Sequence, residues 1–459
     1  MPLLLAGLCL YIIIFTHLVL KYHVVTGRRL HYIHSLHQRY GHVVRIAPKE
    51  IDVSDPQLFK DIHRIGGGFL KDPWYQSFRV GDSHDLFSLI DAKEHAARRK
   101  LFAPLWSNSA LHENWEDVLV EKVELAVSKI RRDALVGEAD IFQWWTFMTT
   151  DVISHLAFGK CLDMLKRESR NQFAEDLDNA IKFNGILAEF QWLRPILRLI
   201  PHPQLQDLFK LDDRVQTYGH VAVENAKEGQ LSKANVFSRI LDQGGKSDGS
   251  GLTDYQVAFE ASGLIVAGSG TTAVTLTYLV WAVLSNPEIQ SRLEHEMNGL
   301  ENGYRDAILE TLPYLNAVID ETLRLFGAAP GSLPSQAPKG GAQLGDYFAP
   351  EGTTISSQAY TLHRNESLYP QSERFDPGRF IDSNGSYNSP KAAFAPFGAG
   401  SRTCLGMHLA KMELRHGAAQ FFRDCRGAKI ARSMKPSDMD LLNFFLISPA
   451  GGRCCVSLS

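Results

Sequence analysis

The chain has 459 residues, 44% of them hydrophobic and 22% charged, with a formal net charge of −3. That balance excludes a disordered chain, and it supplies no global attraction for nucleic acid. Its six cysteines include no C-x-x-C pair, which excludes a zinc ribbon or a disulfide framework and points to a reducing compartment.

In chain order, the first element is an apolar run from Pro2 to Leu20, broken only by Thr16 and His17. A run of about 19 residues just spans a bilayer as a helix. Lys21, Arg28 and Arg29 follow it and no basic residue precedes it, which places the body in the cytosol. The division expected is an anchor over 1–21 and a single domain over 22–459. A cleaved signal peptide is the alternative, but the run has neither the N-terminal charge nor a good small-x-small cleavage site.

His31 to Tyr40 reads as a short helix, and Val43–Pro48 with Glu50–Val53 as a β-hairpin. Helical patterns follow at roughly 93–106, 112–134, 142–158, 170–190, 203–228, 233–242, 254–285, 287–299 and 314–325. Gly244 to Gly251 reads as a loop, and Pro330 to Phe380 as short strands and turns. The fold class expected is mainly α with small β-sheets, an α+β arrangement in one compact domain.

Within the basic helix start Glu94–Lys100, His95 and Arg99 lie one turn apart and can address one anion; a solvated surface helix is the alternative. Thr253-Asp254-Tyr255-Gln256 is a capping box, and it opens a helix that runs to Ser285 before Pro287. At 1.5 Å per residue this helix is about 50 Å long, and being apolar nearly all round it should be buried. Its middle, Ala267-Gly268-Ser269-Gly270-Thr271-Thr272, carries two glycines that each cost about 1 kcal/mol relative to alanine. Either a ligand lies against the backbone there, or the glycines form a notch for another helix. Glu321-Thr322-Leu323-Arg324 sets an acid and a base on one helical face.

The stretch Phe397-Gly398-Ala399-Gly400-Ser401-Arg402-Thr403-Cys404-Leu405-Gly406 places one thiol among glycines just before an apolar helical run. A helix N-terminus favours the thiolate, and a thiolate so held can be the axial ligand of a haem iron.

The pattern F-x-x-G-x-R-x-C-x-G resembles the haem-binding signature of the cytochrome P-450 superfamily, and the resemblance extends over about residues 30 to 455. It implies the P-450 fold and haem b, with Cys404 as iron ligand and Arg402, His95 and Arg99 as propionate partners. Phe397, Gly398, Gly406 and Ala267 would be further cofactor neighbours. The centre of the long helix resembles the family's oxygen-activation motif, which makes Thr271 the proton-relay alcohol. Gly270 departs from that motif where an acid is usual, so Ser269, Thr272 or water would complete the relay. Glu321 and Arg324 resemble the E-x-x-R helix, and Phe375-Asp376-Pro377-Gly378-Arg379-Phe380 resembles F-x-P-E-R-F with Gly378 in place of Glu. Glu321, Arg324 and Arg379 would then form a buried network fixing the Cys404 loop. The stretch Leu333–Pro338 lacks a further family arginine, and the Pro/Gly-rich hinge normal after the anchor is absent from Leu20 to Gly27.

By the same resemblance Phe78, Phe87, Phe183, Phe190, Trp192, Gly263, Leu333, Phe444 and Phe445 line an apolar substrate pocket. Ala359-Tyr360-Thr361-Leu362-His363-Arg364 looks like monooxygenases of fungal secondary-metabolite pathways. The partners implied are an NADPH-cytochrome P-450 reductase, docked at Arg98, Lys100, Lys411 and Arg415, a hydrophobic small molecule, and the lipid of the endoplasmic reticulum membrane. The other readings are a reductase-independent haem-thiolate isomerase or dehydratase, suggested by Gly270, and a non-catalytic haem-binding relative. A cysteine hydrolase lacks the general-base pattern it needs.

Overall fold

The helix Asp254–Leu284 runs without interruption through the centre of the molecule. Its start is the expected capping box: the Thr253 hydroxyl accepts from Gln256 N–H, and the Gln256 side chain accepts from Thr253 N–H. The other helices lie around it. Ile141–Phe158, Pro313–Phe326 and Met407–Asp424 pack against it directly, and Glu116–Val136 covers Ile141–Phe158 and Met407–Asp424. Their apolar faces meet in one large core that includes Trp145, Phe147, Tyr278, Leu276 and Phe421. This computed structural model describes residues 17–458 except 79–83, 171, 212–213, 215–216, 218, 222, 225–234, 238–239, 241–251 and 389–392. The loop expected at 244–251 lies outside the described residues, as do parts of the helices expected at 203–228 and 233–242.

The strands are β1 (Val43–Ala47), β2 (Glu50–Val53), β3 (Leu70–Lys71), β4 (Ala139–Asp140), β5 (Ser335–Gln336), β6 (Ala342–Leu344), β7 (Tyr347–Ala349), β8 (Thr354–Ser356), β9 (Lys429–Ile430), β10 (Leu441–Phe444), β11 (Leu446–Pro449) and β12 (Cys455–Ser457). The expected hairpin is β1–β2, paired antiparallel from Val43↔Val53 to Ala47↔Glu50. It continues into a five-stranded sheet of order β1-β2-β8-β5-β3, which joins the first seventy residues to the turn-rich segment after Pro330. The smaller pairings are β10–β11, β6–β7 and β4-β12-β9. The architecture is mainly helical with small sheets, as the sequence indicates.

Two expected helices end differently from the periodic pattern. The one at 93–106 is α-helical over Ala92–Phe102 and tightens to a 3-10 turn at Ala103–Trp106, where Pro104 removes a backbone donor. The one at 112–134 is split at Trp115 into Asn108–Asn114 and Glu116–Val136. The apolar run at the N-terminus falls outside the described residues up to 16. Its described continuation is the helix Leu18–Val25, in which Leu20 packs with Ile33, Val44, Ile46 and Ala47 while Lys21 pairs with Glu189 at 2.6 Å. Among the described residues one helix, Asp254–Leu284, is long and apolar enough to cross a membrane, and it is mostly buried inside the protein as a core helix.

Candidate active site

Cys404 sits on the loop that leads into Met407–Asp424. The loop is folded back on itself: Gly398 N–H donates to Ala395 O at 3.1 Å, and Cys404 N–H to Phe397 O at 2.9 Å. The thiol has many protein atoms around it yet keeps accessible surface, so a ligand can approach it. Burial pushes its pKa up, against the Gly406 N–H and the Arg99 charge, which both favour the thiolate. Phe397 packs at the edge of the main core. Arg402 donates to Leu89 O at 2.8 Å and Ile90 O at 3.0 Å, tying the cysteine loop to the segment that opens the helix Ala92–Phe102. These bonds involve two of the five guanidinium donors, and the rest are free for another acceptor.

The predicted charge network is present and continuous with this loop. Arg324 grips Glu321 with two bonds, Nε to Oε2 at 2.6 Å and Nη2 to Oε1 at 2.8 Å, and both side chains are fully buried. Glu321 also accepts from Asp376 N–H at 2.7 Å and from Arg379 Nε at 3.4 Å. Arg324 reaches His363 O at 2.6 Å. His363 itself accepts from Ala395 N–H at 2.9 Å on Nε2, which fixes its proton on Nδ1, where it donates to Arg324 O at 3.0 Å. Burial, with Arg324 and Arg364 nearby, holds its pKa down at about 3 and keeps the ring neutral. A path of hydrogen bonds thus runs from Glu321 through Arg324 and His363 to Ala395, the start of the cysteine loop. His363 was not foreseen as a site residue. Its role depends on meeting Arg324 and Ala395, which lie 39 and 32 residues away.

On the long helix, Gly263, Leu264, Ala267, Gly270 and Thr271 form the least buried stripe, and Ala267 is exposed in the middle of an otherwise buried element. Thr271 lies on this stripe, its hydroxyl donating to Ala267 O at 2.7 Å. Ser269 and Thr272 do not share that face. Ser269 is buried, donates to Ile265 O at 2.8 Å, and its carbonyl accepts from Thr149 Oγ1. Thr272 bonds Glu413, a fully buried acid of Met407–Asp424 whose pKa burial pushes up to about 8. The two glycines differ in the same way. A Cβ at Gly268 would stand 2.5 Å from Ile153 Cγ1, so this glycine is the notch that lets Ile141–Phe158 approach. A Cβ at Gly270 would meet only Leu446 Cδ1 at 3.8 Å. Gly270→Ala is therefore expected to raise stability by about 0.5–1 kcal/mol. A rise in Tm checks this, and a fall would show hidden steric demand at that position.

Beside Cys404 a group of basic side chains converges. Arg402, Lys71 and Arg99 all act, after burial, to lower the pKa of His95, which falls to about 3. Lys71 falls to about 7, through burial and then Arg402, with Asp85 opposing. Arg402 is lowered by burial and by Arg99. None of the four pairs with a carboxylate at ion-pair distance among the described residues. The partly buried Arg402, Arg99 and Lys71 repel one another without a counter-charge and His95 beside them is neutral, so the cluster suits an anionic ligand that the cations attract and the imidazole can meet with a hydrogen bond. A deep thiol on a rigid loop and a cationic cluster that reaches it through Arg99 fit a flat, metal-bearing ring with acidic side arms.

Phe78 and Phe87, from one segment, and the distant Phe445 form an aromatic cluster with ring centroids 5.5–5.8 Å apart. Leu333 and Phe444 line an adjoining cavity together with Trp74, Gly185 and Phe445. Gly263 lies under the Asp85 carboxylate. Of the other expected pocket residues, Phe183 packs on Phe209 at 5.2 Å, Phe190 lies under Lys21, and Trp192 is 68% exposed. Two of the expected docking cations are also corrected. Arg98 is buried and pairs with Glu260 at 3.1 Å, and Arg415 is buried with two bonds to Asp306 at 2.5–2.6 Å. Each has an acid from a distant element to neutralise it, which sequence spacing does not reveal. Lys100 is exposed, and Lys411 is partly exposed near Asp320.

Residues 10–456 match the family model described as Cytochrome P450. The chain is 39% identical to the cytochrome P450 monooxygenase stcB of Emericella nidulans, over 97% of this chain and 86% of that protein. It is 37% identical to the cytochrome P450 monooxygenase aflV of Aspergillus parasiticus, over 94% and 87%. It is 29% identical to the methylphloroacetophenone oxidase of Cladonia uncialis, over 78% and 82%. P450 monooxygenases take a haem-thiolate cofactor, a redox partner and hydrophobic substrates, and the family and the names of the relatives support the oxygen-incorporating reading. With a family model spanning nearly its whole length and relatives this similar, the chain belongs to the cytochrome P450 family and is an oxygen-incorporating oxidoreductase.

Proposed function

We propose that this chain is a membrane-anchored monooxygenase of fungal secondary metabolism, with haem b held by Cys404 and electrons delivered from NADPH by a cytochrome P450 reductase at the endoplasmic reticulum. The observation that carries this reading is the deep Cys404 thiol, fixed through Phe397 O and reached by the charge of Arg99. When bound, haem supplies oxygen activation and the transfer of one oxygen atom to a C–H or C=C bond. The chain does the rest. The Gly406 N–H stabilises the thiolate, and the Glu321–Arg324–His363 path holds its loop in place. Arg402, Arg99 and His95 would hold the acidic side arms of the ring. Thr271 holds a proton on its hydroxyl along the accessible stripe, and with Gly270 beside it water takes the place of the usual acid.

The Phe78–Phe87–Phe445 cluster presents aromatic faces and edges suited to a ring-bearing apolar substrate. One relative is named for oxidising methylphloroacetophenone, an acylated aromatic ring, which agrees with such a substrate here. On the side where the reductase docks, Lys100 and Lys411 remain the accessible cations. The test is the carbon monoxide difference spectrum of the reduced protein, wild type beside Cys404→Ser. A red-shifted Soret band in the wild type that the variant abolishes is expected, and its persistence in the variant would overturn the assignment.

A further inference from the structure

The cysteine loop and the helix Ala92–Phe102 contribute the cations Arg402 and Arg99 and the neutral His95 to the cluster, and the sheet contributes a fourth member. The segment Leu333–Pro338 carries no arginine. Within it, Ser335 on β5 pairs with Lys71 on the antiparallel edge strand β3. Paired residues of an antiparallel ladder extend their side chains on the same side of the sheet. Lys71 thus stands in register with a position where its neighbour strand offers only a hydroxyl, and on the same side.

The Lys71 ammonium is only partly exposed and packs on aromatic rings. It lies 3.8 Å from the Tyr75 ring centroid and 4.5 Å from that of Phe87, and it donates to Phe87 O. Its nearest charged influences are Arg402, which repels it, and Asp85, which attracts it. The Asp85 carboxylate is turned to Ser88 N–H at 2.7 Å and packs on Gly263. Two aromatic faces and one carbonyl hold the ammonium in place without neutralising it.

We propose that Lys71 is a haem-positioning residue that binds a propionate from the sheet side, supplying the cation that the β5 strand does not. The proposal rests on the reading of Cys404 as the iron ligand. It divides the anionic edge between two mechanically separate parts of the fold, Arg402, His95 and Arg99 on the helical side and Lys71 on the sheet side. Tyr75, itself buried, lies with its ring against the ammonium.

The test uses full-length protein and measures haem loss to excess apomyoglobin, for the wild type, Lys71→Met and Lys71→Arg, each reconstituted with haem or with its dimethyl ester. With haem, Lys71→Met should lose the group roughly tenfold faster than wild type, as expected for the loss of one charge-assisted contact, and Lys71→Arg should stay within about threefold. With the dimethyl ester, wild type and Lys71→Met should lose it at the same rate. Equal rates with haem would overturn the proposal. A tenfold difference that persists with the ester would overturn it too, by showing that Lys71 acts on the fold rather than on a carboxylate. Failure of the Cys404 reading would look different: the wild type itself would lack the red-shifted carbon monoxide band.

Discussion

Arg324→Met is expected to lower the stability of the folded protein by about 3–5 kcal/mol, because it leaves the Glu321 carboxylate buried without the partner that holds both of its oxygens. The size follows from the surroundings. Neither side chain has accessible surface, so no water can replace the lost guanidinium. Arg379 remains, but its contact to Glu321 is long, at 3.4 Å, and it is also engaged with Pro370 O and Gln371 O. The carbonyls of His363 and Arg374 lose a donor in the same substitution. Adding Glu321→Leu to Arg324→Met should cost less than the sum of the two single changes, since the second removes the unpaired charge created by the first. Urea unfolding of the three variants measures this. A loss below about 1 kcal/mol for Arg324→Met, or strict additivity, would show that the pair does not act as a unit. Because His363 hands the network on to Ala395, the same variant should also lower the fraction of protein showing the red-shifted carbon monoxide band.

This network also shows what the sequence reveals and what it hides. Glu321 and Arg324 were legible because a helix places residues three apart on one face. Thr253 and Gln256 marked the start of the long helix for an equally local reason. The helical period could also have separated Thr271 from its neighbours: at 100° per residue, Ser269 points about 200° away from it. By contrast, His363 meets Arg324, Glu413 meets Thr272 and Lys71 meets Arg402 only because the fold brings distant segments together. Arg98 and Arg415 illustrate the opposite error. On an amphipathic helix a base is read as solvated, and it is buried here because Glu260 and Asp306 arrive from elements over 100 residues away. The aromatic pocket is intermediate. Phe78, Phe87 and Phe445 come together, whereas Phe183 turns to Phe209, Phe190 to Lys21 and Trp192 to the surface, contacts that no local pattern specifies.

Gly400→Ala is expected to have the other large effect, and Gly398→Ala serves as its internal control. Both glycines have positive φ, +67° and +71°, so alanine strains either one by about 1–2 kcal/mol. They differ in what a Cβ would touch. At Gly398 the nearest atom is Arg402 O at 3.9 Å, an ordinary contact. At Gly400 it is His63 O at 2.1 Å, a backbone oxygen at the end of the helix Pro56–His63. No rotamer change relieves that clash, so either the helix end or the cysteine loop must move. The helix is anchored by Phe59 in a cluster with Leu362 and Ala395, and its start is capped by Asp55, which accepts from Gln57 and Leu58 N–H. The loop should therefore be the part displaced, carrying Arg402 and Cys404 with it. Gly398→Ala should lower Tm by about 1–2 °C and retain the thiolate-type carbon monoxide spectrum. Gly400→Ala should lose most of that spectrum, with a Tm fall at least twice as large. Equal behaviour of the two variants would mean that the close approach to His63 does not hold the loop, and that backbone conformation alone sets the position of the sulfur.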